Sequence, residues 1–106
     1  AGGLLVPLNN QDTIVDLIAR EDKVILVSAG YLGSINHTLL SAALLKAKGL
    51  NCVGIIYNHV ELDGTIEVIE KMTGLKTLGN ISREQEVTAA VVAKYASKFK
   101  KALKAL

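Results

Sequence analysis

The chain has 106 residues, half of them hydrophobic, with 12 basic and 10 acidic side chains and a formal charge of +2. That length supports one small domain with a modest core. No apolar run approaches the roughly 18 residues of a membrane span, and the glycine-rich start lacks the basic segment of a secretory signal, so a cytoplasmic location with no membrane partner is expected. The lone Cys52 cannot close an intramolecular disulfide and sits in an apolar run, where it reads as a small core residue. Lys94, Lys98, Lys100, Lys101 and Lys104 follow Val87 without an intervening acid, but aromatic residues and arginine are scarce, which argues against nucleic acid as a partner.

In chain order, residues 1–8 read as the end of a strand and its exit. Asn9–Thr13 is turn-like and introduces a short helix with Ile14, Leu17 and Ile18 on one face. Asp12 and Asp16 share a face at i,i+4, one capping and the other solvated. Val24–Ser28 is apolar on both faces, the pattern of a buried parallel strand. A helix from Ser34 to Lys48 follows and Gly49 stops it. Cys52–Tyr57 is a second buried strand, so strand, helix and strand make a βαβ unit. Thr65–Thr73 is a helix ending at Gly74, and Lys76–Ser82 is a short third strand. Glu84–Ala105 is expected as a final helix, with Val87, Val91, Tyr95, Phe99, Leu103 and Leu106 forming one apolar stripe and the lysines lying off it. The predicted architecture is α/β: a parallel sheet of three to four strands with flanking helices, in one domain of residues 1–106.

The junction Gly30-Tyr-Leu-Gly-Ser-Ile-Asn-His37 joins a buried strand to a helix. Open α/β sheets bind ligands at such junctions. Free first-turn amides and the positive end of the helix dipole converge there and favour an anion around Gly33, Ser34, Ile35 and Asn36. Ser34 alternatively serves as an ordinary N-cap, Asn36 as a cap of its own helix, and His37 as a structural residue just inside it. His37, His59 and Cys52 lack the spacing of a zinc site.

Ala1-Gly-Gly-Leu-Leu-Val-Pro7, Val24-Ile-Leu-Val27, Leu32-Gly-Ser-Ile-Asn-His-Thr-Leu-Leu40, Gly54-Ile-Ile-Tyr-Asn58 and Leu78-Gly-Asn-Ile-Ser82, in this order and spacing, resemble the C-terminal half of a dethiobiotin synthetase. The resemblance covers residues 1–83; the Lys-rich segment 84–106 lies beyond it. It implies a P-loop NTPase-like, Rossmann-like three-layer fold. It also implies a homodimeric enzyme that uses ATP, Mg²⁺ and CO2 to carboxylate 7,8-diaminononanoate and close the dethiobiotin ring.

By that resemblance, Leu32, Gly33, Ser34, Ile35 and Asn36 match a segment that grips the substrate carboxylate of the partner subunit. Gly2, with Ala1 and Gly3, matches a glycine motif against which substrate and metal lie. Asn58 matches the position that reads adenine through an amide able to donate and accept, or it is simply a strand-end turn residue. Asn80, Ile81 and Ser82 match the loop beside the adenine, where many relatives carry proline in place of Ser82.

The sequence contains no Gly-x-x-x-x-Gly-Lys-Ser/Thr phosphate cradle. The resemblance puts the substrate-carbamate lysines and the acidic metal ligands outside this chain too. Recognition elements without the reacting centre are therefore expected, and no synthetase activity by the chain alone. Two other readings stand beside this one: a non-catalytic α/β fragment, natural or engineered, that self-associates through exposed sheet edges, and a small anion- or nucleotide-binding module with another role.

Overall fold

In the computed structural model, which describes residues 2–61 and 64–106, three parallel strands form one sheet in the order β1–β2–β3. Ala1 of the glycine-rich start lies outside the described residues, as do Leu62 and Asp63 of the loop after Asn58. Strand β1 spans Lys23–Ala29, helix α1 Ser34–Ala47, β2 Asn51–Asn58, α2 Thr65–Thr73, β3 Thr77–Ile81 and α3 Ala89–Lys104. Parallel neighbours need crossover connections, and α1 and α2 supply the two. This is the α/β architecture expected from the sequence.

Side chains alternate across the sheet. Leu26 and Ser28 lie beside Ile55 and Tyr57 in register, and α1 and α2 cover this face. Ile55, Tyr57, Val60 and Ile69 form its buried cluster, with Leu26, Ile35, Ile66 and Leu75 packed around them. Burying each of the larger apolar side chains contributes about 1.5–3 kcal/mol. Ser28 breaks the apolar run of β1 without leaving a polar group unpaired: its hydroxyl and that of Thr38 are 2.8 Å apart and both are buried.

On the opposite face α3 packs on β3. The Phe99 ring occupies the space that a Cβ on Gly79 would need, so only glycine admits the helix this close. Between Ile55↔Thr77 and Ile56↔Gly79 the register of β3 shifts, leaving Leu78 as the extra residue of a bulge.

Four sequence expectations are corrected. Residues 2–8 form no strand; they are held to the next segment by a single antiparallel bridge, Pro7 to Thr13, and by amides of Ile14 and Val15 donating to the Val6 and Leu4 carbonyls at 3.0 and 2.9 Å. The helix after Thr13 is only a 3-10 turn, Ile14–Leu17. With three residues per turn, Val15 points inward and Leu17 outward, not the Ile14/Leu17/Ile18 face. Helix α3 starts at Ala89, capped by the Thr88 hydroxyl, which accepts from the Val91 amide at 3.2 Å. Val87 therefore lies outside the helix and is exposed, as is Leu103, while Tyr95 and Phe99 are buried as expected. Finally, β1 is not covered on both faces. Val27, beside Ile56 on the α3 side, is 66% exposed, and among the described residues no strand lies on the outer edge of β1.

Candidate functional site

All three strands run in parallel, so their C-terminal ends meet along one edge. Ala29, Asn58 and Ile81 are Cα partners in a single row there. Two backbone hydrogen bonds lace the exits together: the Gly30 amide donates to the Asn58 carbonyl at 3.1 Å, and the His59 amide to the Ile81 carbonyl at 2.8 Å. Gly30 has to be glycine because a Cβ would overlap the His59 carbonyl. His59 itself has a positive φ of 57°.

From Gly30 the chain turns into α1. Gly33 is the N-cap, with φ 91° and ψ 0°, a left-handed conformation that glycine adopts without penalty. Ser34 is therefore the first helical residue and not the cap. It is buried, and its amide donates to the Tyr31 carbonyl at 3.1 Å. Among the described residues no side chain caps α1, so Asn36 does not cap its own helix; it stands exposed on the first turn. Leu32 is wholly exposed, and Ile35 packs against the core cluster. Among the described residues the amides of Ile35 and Asn36 find no acceptor, and the first turn carries no acidic side chain. Orphan amides and the helix dipole together favour an anion, the dipole contributing about 0.3–1 kcal/mol.

Beside this helix start, the outer edge of β1, α1 and residues 2–5 enclose an open cavity of about 770 Å³. Gly2, Gly3, Val27, Tyr31, His37 and Ser41 are among its lining residues, whereas 32–36 are not. The cavity rim carries a pair that the sequence did not single out: Tyr31 Oη and His37 Nδ1 lie 2.8 Å apart. The only sequence signal is the spacing of six, which lets a loop tyrosine fold back over the first helical turn.

On the β2–β3 side, Asn58 and Ile81 share one sheet face, while Asn80, partner of Tyr57, lies on the other. The Asn58 carboxamide makes no hydrogen bond among the described residues, and Asn80 Oδ1 is buried without a partner. The Asn80 carbonyl accepts from Lys98 Nζ at 3.1 Å. The Ser82 amide donates to Tyr95 Oη at 3.1 Å, and Tyr95 Oη donates to Glu84 Oε1 at 2.8 Å. Lys94 Nζ reaches the same carboxylate oxygen at 2.5 Å. These bonds, that of Lys94 first, hold the Glu84 carboxyl below the usual glutamate range.

Among the described residues no three His, Cys, Asp or Glu side chains come together as a metal site. Asp16 instead accepts from the Thr13 amide at 2.7 Å, while Asp12 takes a hydrogen bond from Asn9 Nδ2 at 2.9 Å. Cys52 is half-buried, and burial pushes its thiol up.

A family model described as an AAA domain matches residues 1–91. The chain belongs to this family. Curated relatives named ATP-dependent dethiobiotin synthetase BioD bear out the resemblance read from the sequence. The protein of Christiangramia forsetii is 50% identical over 103 residues, covering 97% of this chain and 50% of the relative. That of Cytophaga hutchinsonii is 48% identical over 100 residues, 93% of this chain and 48% of the relative. That of Rhodopseudomonas palustris is 40% identical over 101 residues, 93% and 47%. The chain spans about half the length of these relatives. The similarity runs into α3, beyond the residues that carry the resemblance in the sequence.

Proposed function

We propose that this chain carries the substrate-carboxylate and adenine recognition elements of a dethiobiotin synthetase. Such an enzyme carboxylates 7,8-diaminononanoate with CO2 and closes the dethiobiotin ring at the expense of ATP, with Mg²⁺. The observation that carries the proposal is the row Ala29, Asn58 and Ile81, which brings the exit into α1 and the adenine-side residues onto one edge of the sheet.

In this reading the free amides of Ile35 and Asn36 bind the substrate carboxylate, with Gly33 and Ser34 setting the turn and Gly2 walling the cavity beside it. The wholly exposed Leu32 supports contact with a partner subunit in a cytoplasmic homodimer. The unpaired carboxamide of Asn58 suits adenine, since it donates and accepts at once. Ile81 borders it on the same sheet face, while Asn80 lies on the other face of β3. ATP supplies a phosphoryl group that turns a carbamate oxygen into a leaving group. The described residues offer no ligand set for Mg²⁺, and the 106 residues contain no phosphate cradle. Positioned charge around the phosphoryl group supplies most of the rate in such reactions. The chain therefore binds without turning over.

The test is reconstitution. This chain is mixed with a polypeptide covering the remaining half of a relative, and dethiobiotin formation is assayed. Activity from the pair and none from either part supports the reading. Activity of this chain alone, or none from a folded complex of the two, contradicts it.

One observation favours a second reading, a non-catalytic fragment that self-associates. The unpaired edge of β1 and the exposed Val27 beside it form an adhesive strand, with no proline or inward charge to blunt it.

A further inference from the structure

Helix α3 does more than cover β3; it is tied to Gly79, Asn80, Ser82 and Glu84 along the exit of that strand. Phe99 seats on Gly79. Lys98 Nζ donates to the Asn80 carbonyl at 3.1 Å. Tyr95 takes the Ser82 amide at 3.1 Å and gives its own proton to Glu84 at 2.8 Å. The Tyr95 ring is 9% exposed and braced against Phe99, with centroids 5.8 Å apart. Lys94 and Lys98 lie 4.7 and 5.7 Å from its centre. A phenylalanine would fill the same space. The hydroxyl adds only the two bonds to the segment after β3, and with them the phenol uses both its donor and an acceptor position.

We infer that Tyr95 is a positioning residue which, through its hydroxyl, holds Ser82–Glu84 in the conformation that borders the nucleotide. The nucleotide part of this inference rests on the function proposed above. Serine at position 82 makes the contact possible, because a proline there would have no N–H to donate. A proline would stiffen the segment through its own ring. Here the stiffening comes from across the sheet, by way of α3. Holding the segment in place before binding reduces the ordering cost that the ligand would otherwise meet.

The experiment uses the full chain labelled with ¹⁵N, comparing wild type, Tyr95→Phe and the double variant Tyr95→Phe, Ser82→Pro. Amide hydrogen exchange is measured first without ligand, and nucleotide affinity is then measured by titration with ATP. One hydrogen bond of ordinary strength corresponds to about fivefold. Tyr95→Phe is expected to speed Ser82 exchange by about fivefold or more, with Ile55 exchange unchanged, and to weaken ATP binding by a similar factor. Adding Ser82→Pro is expected to return the affinity toward wild type, a rescue that loss of packing alone would not permit. Unchanged Ser82 exchange in Tyr95→Phe would overturn the inference. So would unchanged ATP affinity in that variant where the wild-type chain binds ATP. A wild-type chain that ignores ATP defeats the proposed function, and Ser82 exchange then decides the role of Tyr95 by itself.

Discussion

Replacing Gly30 by alanine probes the joint between the two halves of the site. A Cβ on Gly30 would overlap the His59 carbonyl oxygen and stand 3.0 Å from the His59 carbonyl carbon and 3.1 Å from Val60 Cα. All three are backbone atoms, so no rotamer change relieves the contact; the exits of β1 and β2 have to separate. Separation also stretches the 3.1 Å bond from the Gly30 amide to the Asn58 carbonyl. Overpacking of this kind costs about 1–3 kcal/mol, and a lost hydrogen bond about 1 kcal/mol more. The sum, about 2–4 kcal/mol, is a large part of the roughly 5–15 kcal/mol that stabilises a domain. With a urea slope of about 2 kcal/mol per molar, the unfolding midpoint of Gly30→Ala should fall by about 1–2 M. Amide shifts should change at Tyr31–Ile35 and at His59–Val60 and leave α3 untouched. An unfolding free energy within about 0.5 kcal/mol of wild type would refute the claim that this contact locks the two exits together.

Two further outcomes are expected. Lys94 and Tyr95 hold the Glu84 carboxyl low, so the stabilisation is present above the unfolded glutamate pKa of about 4.3 and disappears as the pH falls through the lower folded value; carboxyl-detected NMR should give a midpoint below about 4.3 that rises in Lys94→Ala, and an unmoved midpoint would count against the cluster. Val27→Lys adds a charge to the exposed face beside the β1 edge and should weaken self-association by about tenfold or more in sedimentation equilibrium, whereas a wild-type chain that stays monomeric at high concentration removes the second reading.

The parallel sheet was legible because Val24–Ser28 and Cys52–Tyr57 are apolar runs of strand length separated by a helix-forming segment. Gly49 and Gly74 marked the helix ends, and α2 falls on the expected residues, Thr65–Thr73. What the pattern could not convey is coverage. An apolar strand signals burial in a complete sheet, yet Val27 on the α3 side of β1 stays exposed. Periodicity also misjudged the ends of α3. Val87 keeps the i+4 rhythm, but Thr88 caps the helix after it, and the segment before Thr88 is held by Tyr95 instead of by helical bonds.

The glycine junction was equally legible as a strand-to-helix turn from its residue types, but the division of labour within it was not. Gly33 takes the cap and leaves Ser34 inside the helix, because a left-handed turn is needed at position 33. The link between Ser82 and Tyr95 crosses from β3 to α3 and has no local signature in the sequence.

The proposed function requires one edge of this sheet to recognise both ligands. The direct measurement is a ¹⁵N–¹H correlation spectrum of the chain, titrated with 7,8-diaminononanoate and then with ATP. Shifts are expected at Ile35 and Asn36 with the first ligand, and at Asn58, Ile81 and Ser82 with the second. A dispersed spectrum that both ligands leave unchanged at millimolar concentration would contradict the proposed function.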